Sequence, residues 1–186
     1  MASEMAHLAP ARTVPTLRTA EGYILTDSLA MGEELAQRHP EAGHWPSDGA
    51  ARALARSITA EMHSGFMALR EDCPNMISHV WDGFEPSDAV LKDVARVEEL
   101  WSLARARHGA DGPWLFGDYS LADVFYAPVA FRLTTYGLNV SSESQSYIDA
   151  HLRDPAFLKW KAEADKEIHE PFPYDFGLKK LSWPKV

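Results

Sequence analysis

Apolar residues recur at every third or fourth position over most of this chain. From Asp48, the positions Leu54, Ile58, Met62, Phe66 and Leu69 predict one long helix, ended or bent at Pro74. Pro86-Ser87-Asp88 opens a second, with Val90, Val94, Val97, Trp101 and Ala104 on one stripe, and the stretch from Gly109 to Pro113 stops it. A third stretch has no polar face: from Leu121 to Leu133 only Asp123 and Arg132 are charged. A helix apolar nearly all round belongs at the centre of a helical core. Ser120 and Asp123 have the spacing of a capping box, in which Ser120 accepts from the Asp123 amide and the Asp123 carboxylate reaches back to the Ser120 amide. Tyr119 and Val124 stand where a hydrophobic staple would form, and Gly117 permits tight backbone just before them. Pro128 is expected to kink this helix, and Gly137 to close it. A shorter helix is expected over Glu143–Leu152, and another from Asp154-Pro155, where Asp caps and Pro takes the first turn.

The pattern differs before Asp48. Val14, Thr16 and Leu17, a turn at Ala20-Glu21-Gly22, then Tyr23, Ile24 and Leu25 predict a β-hairpin over residues 13–26. Asp27 or Ser28 caps a short helix carrying Leu29, Ala30, Leu35 and Ala36. The segment 40–47, rich in Pro, Gly and His and ending at Trp45-Pro46, reads as a linker. Residues 166–186 lose periodicity. Their Pro171, Phe172, Pro173, Tyr174, Phe176, Trp183 and Pro184 suggest a tail laid against the helices. The organisation expected is therefore 1–39, linker 40–47, helical domain 48–165 and tail 166–186.

Composition narrows the partners. A net charge of −9 argues against nucleic acid and anionic membrane surfaces, and no run approaches the length of a membrane span. Met1 to Arg12 lacks the apolar core of a signal peptide. Cys73 is the single cysteine, so no internal disulfide forms and a cytoplasmic location is expected. Asn139-Val140-Ser141 matches a glycosylation sequon, which in such a setting is a chance match. The eight histidines lack paired ligand spacing, so no metal is expected.

A family resemblance rests on several short motifs in order. Val14-Pro15-Thr16-Leu17, then Thr26-Asp27-Ser28-Leu29-Ala30-Met31, then Trp45-Pro46, resemble the second half of a glutathione transferase N-terminal module. Ser120-Leu121-Ala122-Asp123 is similar to that family's capping box in its all-α C-terminal domain. Ala60 through Phe66 to Arg70, and Phe131 through Tyr136-Gly137, are similar to a bacterial branch of the family. The resemblance covers residues 5 to about 165. It implies a mainly α chain: a helical bundle preceded by a truncated thioredoxin-like remnant, hairpin plus helix. It further implies a cis proline after Val14, Val14 backbone pairing with the cysteinyl part of glutathione, and Asp27 with Ser28 holding the γ-glutamyl carboxylate. Read on their own, Asp27 and Ser28 fit an ordinary N-cap better than a binding pair; beside the Val14-Pro15 motif the two readings balance. A homodimer is also implied.

One departure bears on activity. The family's opening strand–helix–strand carries the residue that activates the glutathione thiol, and such a unit needs roughly 30–40 residues. Twelve residues precede Thr13, and Ser3 is the early hydroxyl among them. The activating residue is therefore expected to be absent, so no catalytic residue is assigned. Acceptor-pocket candidates are His63, Phe66, Met67, Arg70 and Tyr136, each of which also reads as plain core or surface. Cys73 lacks neighbours that would lower its pKa, apart from Arg70. Asp93, Glu98 and Glu99 read as a solvated helix face. Two functions follow. In one, glutathione thiolate attacks an electrophilic small molecule, weakly or not at all in this chain. In the other, the chain is a non-catalytic module for ligand binding or protein association. A shortened product of an ordinary enzyme's gene is a third origin for the same sequence.

Overall fold

The computed structural model describes residues 5–9, 11–109, 112–167 and 174–184. Ser3, Pro171, Phe172 and Pro173, singled out above, lie outside them. In chain order come β1 (Leu17–Arg18) and β2 (Ile24–Leu25), an antiparallel hairpin shorter than the sequence suggests. Helix α1 (Ser28–Arg38) follows, then α2 (Gly49–Ser64), α3 (Met67–Asp72), strand β3 (His79–Asp82) and α4 (Asp88–His108). After them come α5 (Leu121–Thr135), α6 (Ser142–Arg153), α7 (Pro155–Ala164) and β4 (Lys179–Ser182). Helices α2 and α6 pack against α5, α4 packs against α2 and α6, and the sheets hold two strands each. Among the described residues no helix is long and apolar enough to cross a membrane.

The single helix expected from Asp48 to Pro74 is two. Gly65 leaves α2 in an extended conformation, and Phe66 adopts a left-handed one at φ 58°. A Cβ on Gly65 would stand 2.6 Å from the Glu61 carbonyl oxygen, so only glycine fits there. The carbonyls left over at the end of α2 find a donor in Arg70. Its Nε donates to Gly65 O at 2.9 Å and its Nη2 to Met62 O at 2.6 Å. The break turns Phe66 into the core and leaves Met67 exposed.

Two more expectations are corrected by the same need to satisfy helix ends. Phe66 cannot cap α3 with a side-chain acceptor, and Asp93 of α4 does so instead, accepting from Leu69 N at 3.0 Å. Glu98 accepts from Ser141 N at 2.8 Å at the start of α6. These carboxylates join helices rather than form a purely solvated face. The tail contributes a strand that the sequence did not suggest: β4 pairs antiparallel with β3, Val80 opposite Leu181. Phe176 ahead of it packs edge-on against Trp81, Phe84 and Tyr136 at 5.3–5.7 Å.

At the centre lies α5, apolar all round and buried on most of its surface. Its capping box forms. The Asp123 carboxylate does more than cap. Oδ2 accepts from the Ser120 amide at 2.8 Å and the Ser120 hydroxyl at 3.0 Å, while Oδ1 accepts from Leu115 N at 3.1 Å and Tyr147 Oη at 2.9 Å. Thus one buried side chain ties α5 to the loop before it and to α6. Tyr126 Oη donates to Ile58 O at 3.0 Å, fastening α5 to α2. Gly137 closes the helix at φ 58°, with Leu138 N on Leu133 O and Gly137 N on Thr134 O. The expected staple is not a buried pair: Tyr119 and Val124 are both exposed, and the Tyr119 ring lies edge-on to Trp114 at 4.6 Å.

Replacing Asp123 by Ala strands the Leu115 and Ser120 amides and the Tyr147 hydroxyl in the interior. The expected cost is about 3 kcal/mol or more, against about 1 kcal/mol for Ser120→Ala. Urea midpoints of the two variants, compared with wild type, check the ranking.

His151 supplies a pH dependence. It is 2% exposed, lies between the rings of Tyr147 and Trp114, and its Nε2 has no hydrogen-bond partner. Burial pushes its imidazole from 6.5 down to about 4. The unfolded chain therefore binds a proton first, and stability contributed by neutral His151 is full above pH 6.5 and lost as pH falls towards 4. The loss amounts to about 3 kcal/mol across that window. Burial raises Asp123, which acts in the opposite sense because its stability contribution falls as pH rises above the ordinary value of 3.8. Asp123 is present in both proteins when wild type is compared with His151→Phe, so denaturation midpoints from pH 7 to 4 should flatten in the variant.

Candidate functional site

The start of α1 is fixed by Asp27. Its Oδ1 accepts from the amides of Leu29 at 2.8 Å and Ala30 at 3.1 Å, and its Oδ2 lies 2.8 Å from His63 Nε2. The Ala30 amide foremost, with His63 adding to it, holds the carboxyl below its usual range. Asp27 is thus both cap and tether, linking α1 to the last turn of α2. The His63 ring also stands edge-on to Phe125 of α5 at 5.8 Å.

Around this junction opens a groove of about 490 Å³, within the size range of small-molecule sites. Helix α1 contributes Ser28, Met31 and Leu35, α2 contributes Met62 and His63, and α3 contributes Arg70. Helix α5 contributes Leu121, Phe125, Pro128 and Arg132. The walls are mainly apolar and the polar groups are few. Arg132 is half-buried, and burial, then the nearby charge of Arg70, lowers its pKa. Its Nε donates to Cys73 O at 2.9 Å and its Nη1 to Pro128 O at 3.3 Å.

A larger hollow of about 890 Å³ lies on the side of α1 that faces the linker. Its charges are largely neutralised in place: Arg56 makes a two-pronged pair with Glu33 at 2.8 and 2.9 Å. None of the candidate residues lines it.

Ser28, His63 and Arg70 are brought together in the groove. Asp27 adjoins them through His63. Val14 does not line the groove; it is 65% exposed, and the Val14–Pro15 peptide bond is cis. Phe66 and Tyr136 lie in the core, Tyr136 Oη donating to Pro74 O at 3.0 Å, and Met67 faces solvent. Sequence reasoning missed Arg132, Phe125, Met31 and Leu35. A charge retained on an otherwise apolar central helix was a signal for Arg132. Met31 and Leu35, four apart on α1, were a signal for its inner face. Cys73 is fully buried, and burial followed by Asp72 pushes its thiol up to about 12, which keeps it protonated and unreactive.

No family model matches the chain. It is 29% identical over 160 residues to a probable maleylacetoacetate isomerase of Caenorhabditis elegans, covering 84% of this chain and 73% of that protein. It is 28% identical over 138 residues to the maleylacetoacetate isomerase of Pseudomonas aeruginosa, covering 70% of this chain and 61% of that one. A Burkholderia glutathione transferase homologue, crystallised with bound glutathione, superposes with a TM-score of 0.59 at 27% identity, over 83% of this chain and 75% of that one. The chain is similar to glutathione transferases in sequence and in fold. Its seven α-helices among the described residues, with sheets of only two strands, are the helical fold of glutathione transferases.

Proposed function

We propose that this chain is a glutathione-binding protein of the transferase family, with an electrophilic small molecule as co-substrate in the groove of α1, α2 and α5. The observation that carries this reading is the Asp27–His63 contact at 2.8 Å, which sets the start of α1 at the edge of an apolar groove. In this reading glutathione lies along Val14 and the α1 start. Because Asp27 already serves as a cap, the γ-glutamyl carboxylate is held by the Ser28 amide and hydroxyl, with the helix N-terminus adding partial positive charge. Ser28 accordingly matters more for binding than Asp27 does. The glutathione bound to the Burkholderia homologue supports the choice of ligand.

Catalysis by this chain is weak in the same reading. Thiolate formation requires a donor that lowers the thiol pKa. The buried Tyr126 and Tyr136 hydroxyls are committed to Ile58 O and Pro74 O, and burial raises both. Isothermal titration should show weak glutathione binding that Ser28→Ala weakens further. Conjugation of a general electrophile should stay below about 1 s⁻¹, the lower edge of ordinary enzyme turnover. Turnover within the ordinary range would refute weak catalysis, undiminished binding in Ser28→Ala would refute the placement of glutathione at the α1 start, and no glutathione binding at all would refute the assignment.

The hairpin supports a homodimer as the working form. Val14 and Tyr23 are 65% and 66% exposed, and Leu17 is 39% exposed, on a two-stranded sheet with open edges. Sedimentation at micromolar concentration should show a dimer that Leu17→Glu shifts to monomer. A wild-type monomer, or a dimer indifferent to the substitution, would count against it.

A further inference from the structure

Two cations meet in the groove without an acidic partner. Arg70 gives Nε to Gly65 O and Nη2 to the carbonyls of Met62 and His63. Arg132 gives Nε to Cys73 O and Nη1 to Pro128 O. Each guanidinium is thereby held along one side by backbone oxygens. Each keeps one terminal nitrogen, Nη1 of Arg70 and Nη2 of Arg132, with no protein acceptor among the described residues. Several other arginines are matched by carboxylates: Arg38 with Glu21 and Glu34, Arg56 with Glu33, Arg96 with Glu61 and Glu99. The chain has a surplus of carboxylates, with a net charge of −9, yet none is paired with Arg70 or Arg132 among the described residues. Asp27, which adjoins the groove through His63, is already occupied by His63 and the α1 amides.

Like charges gathered in a half-buried place are unfavourable until an anion enters, and guanidinium forks match carboxylate geometry. The remaining walls, Met31, Leu35, Met62 and Phe125, suit a hydrocarbon body. We propose that the groove takes a carboxylate-bearing small molecule, its anionic groups on Arg70 and Arg132 and its apolar body against these side chains. This deepens the transferase reading by naming the chemical class of the co-substrate, and it rests on that reading.

The test is isothermal titration of the wild-type chain with 2-phenylsuccinate and with its dimethyl ester, which keeps the shape and removes the charge. The diacid should bind about tenfold or more tightly than the ester. Arg132→Gln should abolish that preference while leaving the ester unaffected, and Arg132→Lys should retain part of it. Arg70 is left intact because it also closes α2. Equal binding of acid and ester, no binding of either, or an equal loss of both in Arg132→Gln would overturn the proposal. Glutathione titrated separately reports on the underlying reading. Diacid binding without glutathione binding keeps the anion site and removes the transferase reading; glutathione binding without acid preference removes the anion site alone. Competition between the two ligands would place glutathione's own carboxylates on the arginines, and would also overturn the proposal.

Discussion

The Asp123 carboxylate is the interaction on which the rest of the fold depends. It is fully buried, and a lone ionised carboxyl in such a place is prohibitively unfavourable. Four donors, from Leu115, Ser120 twice and Tyr147, make it tolerable. Each donor comes from a different demand of the architecture. Ser120 starts the central helix, Leu115 positions the loop that enters it, and Tyr147 brings in α6. A polar group of this kind selects one arrangement of its neighbours, because any other leaves donors or acceptors unpaired. The aromatic shell of Trp101, Tyr126 and Tyr147 then packs around an entry geometry already chosen.

The same logic of unfinished helix ends accounts for most of what joins the outer helices. Asp93 serves α3, Glu98 serves α6, Asp27 serves α1 and reaches His63, and Arg70 serves the end of α2. The groove is a by-product of two of these devices. Asp27 and Arg70 were recruited by helix termini, and in satisfying them they place His63 and a guanidinium on one concave wall. In the proposed reading, the side chains that finish the helix ends are the ones that would meet a ligand.

Helices α2, α4 and α5 were legible because their apolar positions run long, and the starts of α2, α4, α5 and α7 at Asp48, Ser87, Ser120 and Asp154 carry the expected capping residues. The break at Gly65 was not, because Met62, Phe66 and Leu69 remain at helical spacing on either side of it; periodicity is blind to one inverted residue. Strands β3 and β4 were hidden for another reason. They are four residues each and nearly a hundred residues apart, so nothing local to either announces its partner. Ser28, His63 and Arg70, named from motifs, line the candidate groove, whereas Arg132 needed the third dimension to show which wall its helix presents. Tyr136 and Phe66 were misdirected by spacing that fits core and cavity equally well.

The linker has a consequence for how the chain divides. The His44 carbonyl accepts the Leu121 amide at 2.9 Å, and Trp45 is buried with the helical core, its ring beneath Arg56 at 5.6 Å. The segment that looks like a hinge in composition is thus stitched to the first turn of α5. A swivel between hairpin and helices would have to pivot ahead of His44, near the left-handed Gly43. Packing thus joins Trp45, three residues ahead of Asp48, to the helices that follow it.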